Sequence, residues 1–383
     1  MNFDLSEEQS LLADSLAKWT ARSYPFDHRR KISENPLGRS PEVWGEMAEL
    51  GLHGLPFAED DGGFGGGAVE TMLVMEAIGR AQVTEPWLTA VVLCGAVLRH
   101  GASPVQRAEL VPAIAAGDLL LAPATTEAQS RWTLSDVATT AEPLGDGWRL
   151  TGTKVLVPHG GTADRFLVSA RTSGDRLSPH GIGLFLVESS AAGVAVVDYP
   201  THDGGRAADV GLDAVVVGAD AVIGDPARGL AILERAVDEA IAAVCAEAVG
   251  AMDEALRLTV EYLKTRVQFG QPIGSFQALQ HRAADMYVAV EQARSMALWA
   301  TMSVAEEDVV ARRKAMAAAK IQVAKSARFV GQQAIQLHGG IGMTWEYAVG
   351  HLFKRLTMIE RQFGDLDHHL DWLAATDGLL GEA

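Results

Sequence analysis

Cysteine is scarce: the 383 residues contain two, Cys94 and Cys245, each set among small apolar neighbours. That excludes a disulfide framework and predicts two reduced core thiols in a cytoplasmic chain. Basic residues are also short, with 32 Lys and Arg against 49 Asp and Glu and a formal net charge of −17. Nucleic acids and anionic membranes are recognised through basic patches, so neither is an expected partner. A small anion held in a local cationic pocket remains compatible with this charge. No run of 18 apolar residues occurs, so no membrane-spanning helix is expected. The opening MNFDLSEEQS is acidic and lacks an apolar stretch, so it does not read as a signal peptide. The glycines between Gly62 and Gly67 are not followed by Lys-Ser/Thr, which excludes a P-loop. They follow a helical pattern rather than a strand, which argues against a dinucleotide fingerprint. No G-x-S-x-G nucleophile motif is present. His368 and His369 are adjacent and would point about 100° apart on a helix, so no metal site is expected there.

What is present is a change of texture along the chain. Hydrophobic residues make up 48% of it, enough for large buried cores. Residues 1–118 read as helical. Leu5, Leu11, Leu12, Leu16 and Trp19 form one amphipathic stripe behind a Ser6 cap. Ser40-Pro41-Glu42 opens a second helix that ends near Gly51, because proline is well placed in a first turn. After the glycine-rich loop, helices are expected over 68–80, 84–101 and 104–116. Residues 119–224 instead hold short runs of Val, Leu and Thr punctuated by Gly, Asp and Pro. They predict an antiparallel β domain, barrel or sandwich. Residues 225–383 return to helix, with long helices expected over 227–265, 276–305, 308–337 and 344–361 and a shorter one over 366–380. The alanine-rich segments suit close packing into a four-helix bundle. The fold class is therefore α+β, with a helical, a β and a second helical domain.

One corner stands out. Val244, Ala248, Ala251, Ala255, Leu258 and Tyr262 share a helix face, and that helix breaks at Phe269-Gly270-Gln271-Pro272. A new helix starts near Ser275, the residue expected to cap it. Arg266, Gln268, Phe269 and Gln277 therefore gather around a turn. A guanidinium, amides and an aromatic ring there suit a planar ligand carrying phosphate, although solvated helix ends would look the same.

The segment RVQFGQPIGSFQ, Arg266 to Gln277, and the segment QLHGGIG, Gln336 to Gly342, stand about sixty residues apart. In wording, order and spacing they resemble the signature of the acyl-CoA dehydrogenase family. The likeness runs from Ser6 to the C-terminus. It implies the three-domain acyl-CoA dehydrogenase fold, FAD as cofactor and an acyl-CoA substrate. It also implies an electron-transferring flavoprotein as acceptor, and either a homotetramer or an α2β2 assembly with a second chain of the family. By resemblance, Arg266 reaches the FAD pyrophosphate of a neighbouring subunit. Phe269 and Gln277 lie around its adenosine and ribityl parts, with Gln268 in the same group. Gln336, Gly339 and Gly340 form the turn that approaches the diphosphate.

The implied reaction removes an α-proton with a carboxylate while a hydride leaves the β-carbon for the flavin. The family places its glutamate either 26 residues before the arginine or 25 after the histidine, and here those positions are Ala240 and Phe363. Glu239 and Glu247 are weak substitutes. Glu239 is turned about 100° around the helix and Glu247 lies about 10 Å along it. Glu234, Asp238, Glu360 and Asp365 are the other carboxylates nearby. The family's loop with Gly-Ser-Asp reads Thr126-Glu127-Ala128-Gln129-Ser130-Arg131 here, and Leu156 replaces the tryptophan that would shield the flavin. Thr125, Thr126 and Ser130 are loose candidates for contacts from this region. Three roles stay open: a dehydrogenase acting with a partner chain, a partner that completes an FAD site without chemistry of its own, and a flavin oxidase or monooxygenase on the same fold.

Overall fold

The computed structural model describes residues 4–376 and 378. In chain order, α1 is Glu7–Ser23, α2 Phe26–Glu34, α3 Pro41–Glu49 and α4 Ala68–Ala81. A π-helix, Trp87–Cys94, runs into α5, Gly95–Gly101, and α6 follows at Pro104–Ala115. The strands are β1 Leu121–Ala124, β2 Thr140–Leu144, β3 Gly147–Pro158, β4 Arg165–Arg171, β5 Ile182–Glu188, β6 Val194–Pro200, β7 Arg206–Val217 and β8 Val222–Ile223. Then come α7 Gly229–Thr265, the two-residue strands β9 Val267–Gln268 and β10 Gln271–Pro272, α8 Gln277–Ser303, α9 Val309–His338, α10 Ala348–Arg361 and α11 Leu366–Ala375. The last of these ends at Ala375. The expected extension to 380 falls partly on residues 377, 379 and 380, which lie outside the described residues.

The chain divides into two compact units, one of residues 1–31, 68–83 and 241–383, the other of residues 32–67 and 84–240. In the first, α9 packs against α8, α10 and α11, and α1 packs on α4. Ser6 and Gln9 form a capping box at the start of α1. Leu16 and Trp19 of the predicted stripe are buried, but Leu5 and Leu11 lie open to solvent. Two glycines let α4 and α7 touch backbone to backbone. A Cβ on Gly79 would meet the Glu247 carbonyl oxygen at 1.9 Å, and one on Gly250 the Glu76 carbonyl oxygen at 2.0 Å.

In the second unit the strands run in the order β6-β7-β3-β2-β4-β5-β8. The sheet is mixed rather than wholly antiparallel. β1 pairs parallel with β4, and β2 meets β4 parallel at Thr140–Arg171. Parallel neighbours need a long crossover, and the β2–β3 hairpin lies within the one from β1 to β4. Phe166, Val168, Phe185 and Leu150 fill its core. Two local expectations are corrected. α2 was not foreseen, because FDHRRKISE is too polar to show a stripe. Ser275 is not a cap: its hydroxyl donates to Pro272 O within a 3₁₀ turn, and Phe276 precedes α8 without a side-chain cap.

Candidate functional site

The Arg266 corner is a hairpin rather than a bare break between helices. β9 and β10 pair antiparallel, with Phe269 (φ 54°) and Gly270 (φ 78°) at the tip. Positive φ at both central residues is the geometry of a type I′ turn, which favours Asn-Gly over Phe-Gly. Phe269 is 91% exposed, so an aromatic ring is held in water on a strained backbone. Arg266, Gln268 and Gln277 are exposed as well. Arg266 N–H donates to Tyr262 O at 2.8 Å, and its carbonyl accepts from Ile273 N at 2.8 Å.

The second motif ends α9. Gly339 takes φ 63° as the helix terminates, a conformation that costs glycine little. A Cβ built on Gly339 or Gly340 meets nothing within 4 Å, so both backbones lie open to an approaching group. Gln336 is exposed one turn earlier. His338 is buried between them, with Nδ1 donating to Ala334 O at 2.8 Å. Both motifs belong to the same compact unit.

In the β unit the loop after β1 is built on Glu127. Its carboxylate accepts from Lys154 Nζ at 2.6 Å, Ala138 N at 2.8 Å and Thr139 N at 3.0 Å, and Lys154 also reaches Ser169 Oγ at 3.2 Å. Burial alone would raise the Glu127 pKa, but the Lys154 ammonium and the hydrogen bonds from Lys154, Gln129 and Thr139 hold it at about 2. Ser130 is occupied here too: its hydroxyl accepts from Glu127 N and donates to Glu127 O, both at 3.0 Å. Thr125 and Thr126 are half-buried, and the Thr126 carbonyl accepts from Val155 N at 2.9 Å. That bond lies at an irregularity of β3 against β7 between Lys154 and Val157. The bulge turns Leu156 outward, 60% exposed at φ 54°.

The two base positions carry no carboxylate, and the carboxylates around them are committed. Ala240 is fully buried. Phe363 sits at φ 58° in a turn whose Gly364 carbonyl, with those of Ile359 and Glu360, accepts from the buried Lys320 Nζ at 2.8–3.1 Å. His369 Nε2 meets Phe363 O at 3.1 Å. Glu239 pairs with Arg99, with His100 at 2.5 Å and with Arg235 at 3.8 Å. Burial pushes its carboxyl up, and these cations more than offset that and leave it below the usual range. Glu247 is clasped by Arg355 through two bonds of 2.5 and 2.8 Å. Each carboxylate is thereby held facing its guanidinium. Glu360 is paired with Arg328, and Asp365 caps α11 through His368 N at 3.0 Å. Asp238 and Glu234 also have partners.

Sequence reasoning missed Lys320 and the aromatic neighbours of His338. Lys320 stands four residues from both Met316 and Ala324 on a buried face, and a lone charge on an apolar stripe was the available signal. Among the described residues no group of three or more His, Cys, Asp or Glu could hold a metal ion, and no helix is long and apolar enough to cross a membrane.

A helical region, a β-sheet region and a second helical region in this order make the three-domain architecture of a flavin-dependent acyl-CoA oxidoreductase. Residues 6–118, 122–213 and 227–376 match the N-terminal, middle and C-terminal domains of acyl-CoA dehydrogenase, respectively. The chain belongs to the acyl-CoA dehydrogenase family. It is 30% identical over 347 residues to the acyl-CoA dehydrogenase FadE27 of Mycobacterium tuberculosis, covering 88% of each chain. It also superposes on a chain of the ChsE4–ChsE5 complex from Mycobacterium tuberculosis, with TM-score 0.88, 26% identity and 100% of each of the two chains covered. The FAD complex of PigA gives TM-score 0.90 at 26% identity, again over 100% of each chain. The protein is thus an FAD-dependent oxidoreductase acting on acyl-CoA. Its own residues fit the diphosphate end of FAD, since an exposed guanidinium and two glycines with open space in front of them suit a doubly charged anion.

Proposed function

We propose that this chain is one component of a heteromeric acyl-CoA dehydrogenase, in which a second chain of the family supplies the catalytic glutamate. The observation that carries this reading is the absence of a carboxylate at 240 and 363, together with the pairing of Glu239, Glu247 and Glu360 with arginines and the use of Asp365 as a helix cap. A general base must be oriented at the proton it takes, and arginines fix the Glu239 and Glu247 carboxylates in other directions through direct hydrogen bonds. Arg266, Gln268, Phe269, Gln277, Gln336, Gly339 and Gly340 would hold FAD, which supplies the hydride acceptor when bound. Arg266 would neutralise diphosphate charge, while Gly339 and Gly340 would let backbone come close. The likeness to ChsE4–ChsE5, a complex of two named chains, supports a heteromer.

ETMLVMEAIGRA, AIAAVCAEAVGAM and QQAIQLHGGIGMTWEY resemble the small subunit of pimeloyl-CoA dehydrogenase. We therefore place the substrate among CoA thioesters of dicarboxylic, alicyclic or branched acids. We take the assembly as an α2β2 tetramer in the cytoplasm, with an electron-transferring flavoprotein as acceptor. The test is the visible spectrum of the chain purified alone, and then co-expressed with a family member that carries the glutamate, before and after a panel of acyl-CoAs including pimeloyl-CoA. Bleaching is expected only in the co-expressed assembly. A flavin bound to this chain alone and bleached by an acyl-CoA would overturn the partner reading, and oxygen consumption without acyl-CoA would favour an oxidase.

A further inference from the structure

Tyr262, His338 and Tyr347 come from three elements: the last turn of α7, the last residue of α9 and the residue before α10. The His338 ring stacks on Tyr262, with centroids 4.6 Å apart and planes 26° apart, and it meets Tyr347 at 5.0 Å. His338 is 3% exposed, and its bond to Ala334 O fixes the ring's rotation. On one side of the stack, Tyr262 O accepts the Arg266 N–H. On the other, His338 is bonded directly to Gly339, and Gly342 packs back so closely that a Cβ there would lie 3.0 Å from His338 Cβ. The hairpin beyond Arg266 is anchored at its two ends: Val267 through Pro272 are all exposed, and the Phe269 ring meets Phe276, just past the far strand, edge-on at 6.2 Å between centroids. Its position is therefore set at those ends, and Tyr262 sits at the first of them.

We propose that the Tyr262–His338–Tyr347 stack is a positioning brace. It holds the Arg266 corner and the Gly339–Gly340 turn at one separation, and so sets how tightly this chain grips the diphosphate of FAD. The inference rests on the flavin reading above and assigns new residues to it. A diphosphate contacted from two elements is bound well only when both are in register, because small misplacements in a preorganised site are costly. These three side chains act on the site through Arg266 and the glycines.

The test strips flavin from the full chain in its native assembly and titrates FAD back, following the quenching of flavin fluorescence. His338→Ala and Tyr262→Ala should each weaken FAD binding about tenfold, and together little more than either alone, since they break one unit. His338→Phe and Tyr262→Phe keep a stacked ring and should stay within about threefold of the parent. Should His338→Ala fail to fold, Tyr262→Leu decides, because it keeps apolar bulk on a half-buried position and removes only the ring. A lower melting temperature of the flavin-free protein with unchanged FAD affinity would overturn the brace. Arg266→Ala separates the two ideas. If it abolishes FAD binding while the stack variants do not, the brace fails alone. If it leaves binding intact, the flavin reading fails and the brace with it.

Discussion

Glu247 offers a direct measurement, because its structural and catalytic roles predict opposite results. Its carboxylate is 3% exposed and receives two bonds from Arg355, itself 19% exposed. Glu247→Ala would leave a guanidinium facing protein without its anion. Breaking a buried pair costs about 3–5 kcal/mol, and the partial exposure of Arg355 places this case near about 3 kcal/mol. Glu247→Gln keeps the shape and one acceptor but loses the charge, for about 1–2 kcal/mol. With a urea dependence of about 3 kcal/mol per molar, the alanine midpoint should fall by about 1 M and the glutamine midpoint by about half that. The same variants are then assayed for flavin bleaching by acyl-CoA in the assembly that shows it. The structure leads us to expect lowered midpoints with the bleaching rate of Glu247→Gln within about twofold of the parent. An unchanged midpoint with bleaching abolished would refute the reasoning and make Glu247 the base.

Other outcomes follow from named contacts. Gly79→Ala forces a Cβ against the Glu247 carbonyl at 1.9 Å, so the α4–α7 crossing must open; calorimetry should show a loss of about 3 kcal/mol, and Gly250→Ala should match it. Phe269→Asn relieves a positive φ that asparagine tolerates, so the flavin-free chain should gain up to about 1 kcal/mol in a urea titration while FAD affinity falls. The Glu127 carboxyl, held at about 2, makes the native state bind fewer protons than the unfolded chain between pH 2 and 4.5. Its contribution is therefore whole above pH 4.5 and lost on acidification through that window. Lys154→Met strands a buried carboxylate that then favours its proton. Urea midpoints of that variant should rise, not fall, as the pH is lowered from neutral.

Much of the helical framework was legible from local chemistry. The expected helices over 227–265 and 308–337 appear as Gly229–Thr265 and Val309–His338, because periodic burial and an Asp308 cap act within a few residues. Ser6 and Ser40 cap helices for the same reason. The π-helix at Trp87–Cys94 gave no such signal, since eight consecutive buried residues look alike in any helical register. The Arg266 hairpin is not legible as one, because Gly and Pro mark a turn without saying that two residues on either side pair. Arg266, Gln268, Phe269 and Gln277 were readable as a group because they are neighbours in the chain, and Gln336, Gly339 and Gly340 likewise.

The sequence by itself determined the order of helical and β regions, the Ser6 and Ser40 caps, the two motif corners and the lack of a carboxylate at 240 and 363, all of which are local or read directly from residue identity. Tertiary structure alone decided what those corners and carboxylates are tied to. Glu247 meets an arginine 108 residues away, Glu239 one 140 residues away, and Glu127, in a loop, a lysine 27 residues away on β3. Tyr262 and His338, 76 residues apart in sequence, share one stack. Charge pairing and ring stacking act over a few ångströms in space and not along the chain. Whether a glutamate is a free base or half of an ion pair is therefore settled only when the chain has folded.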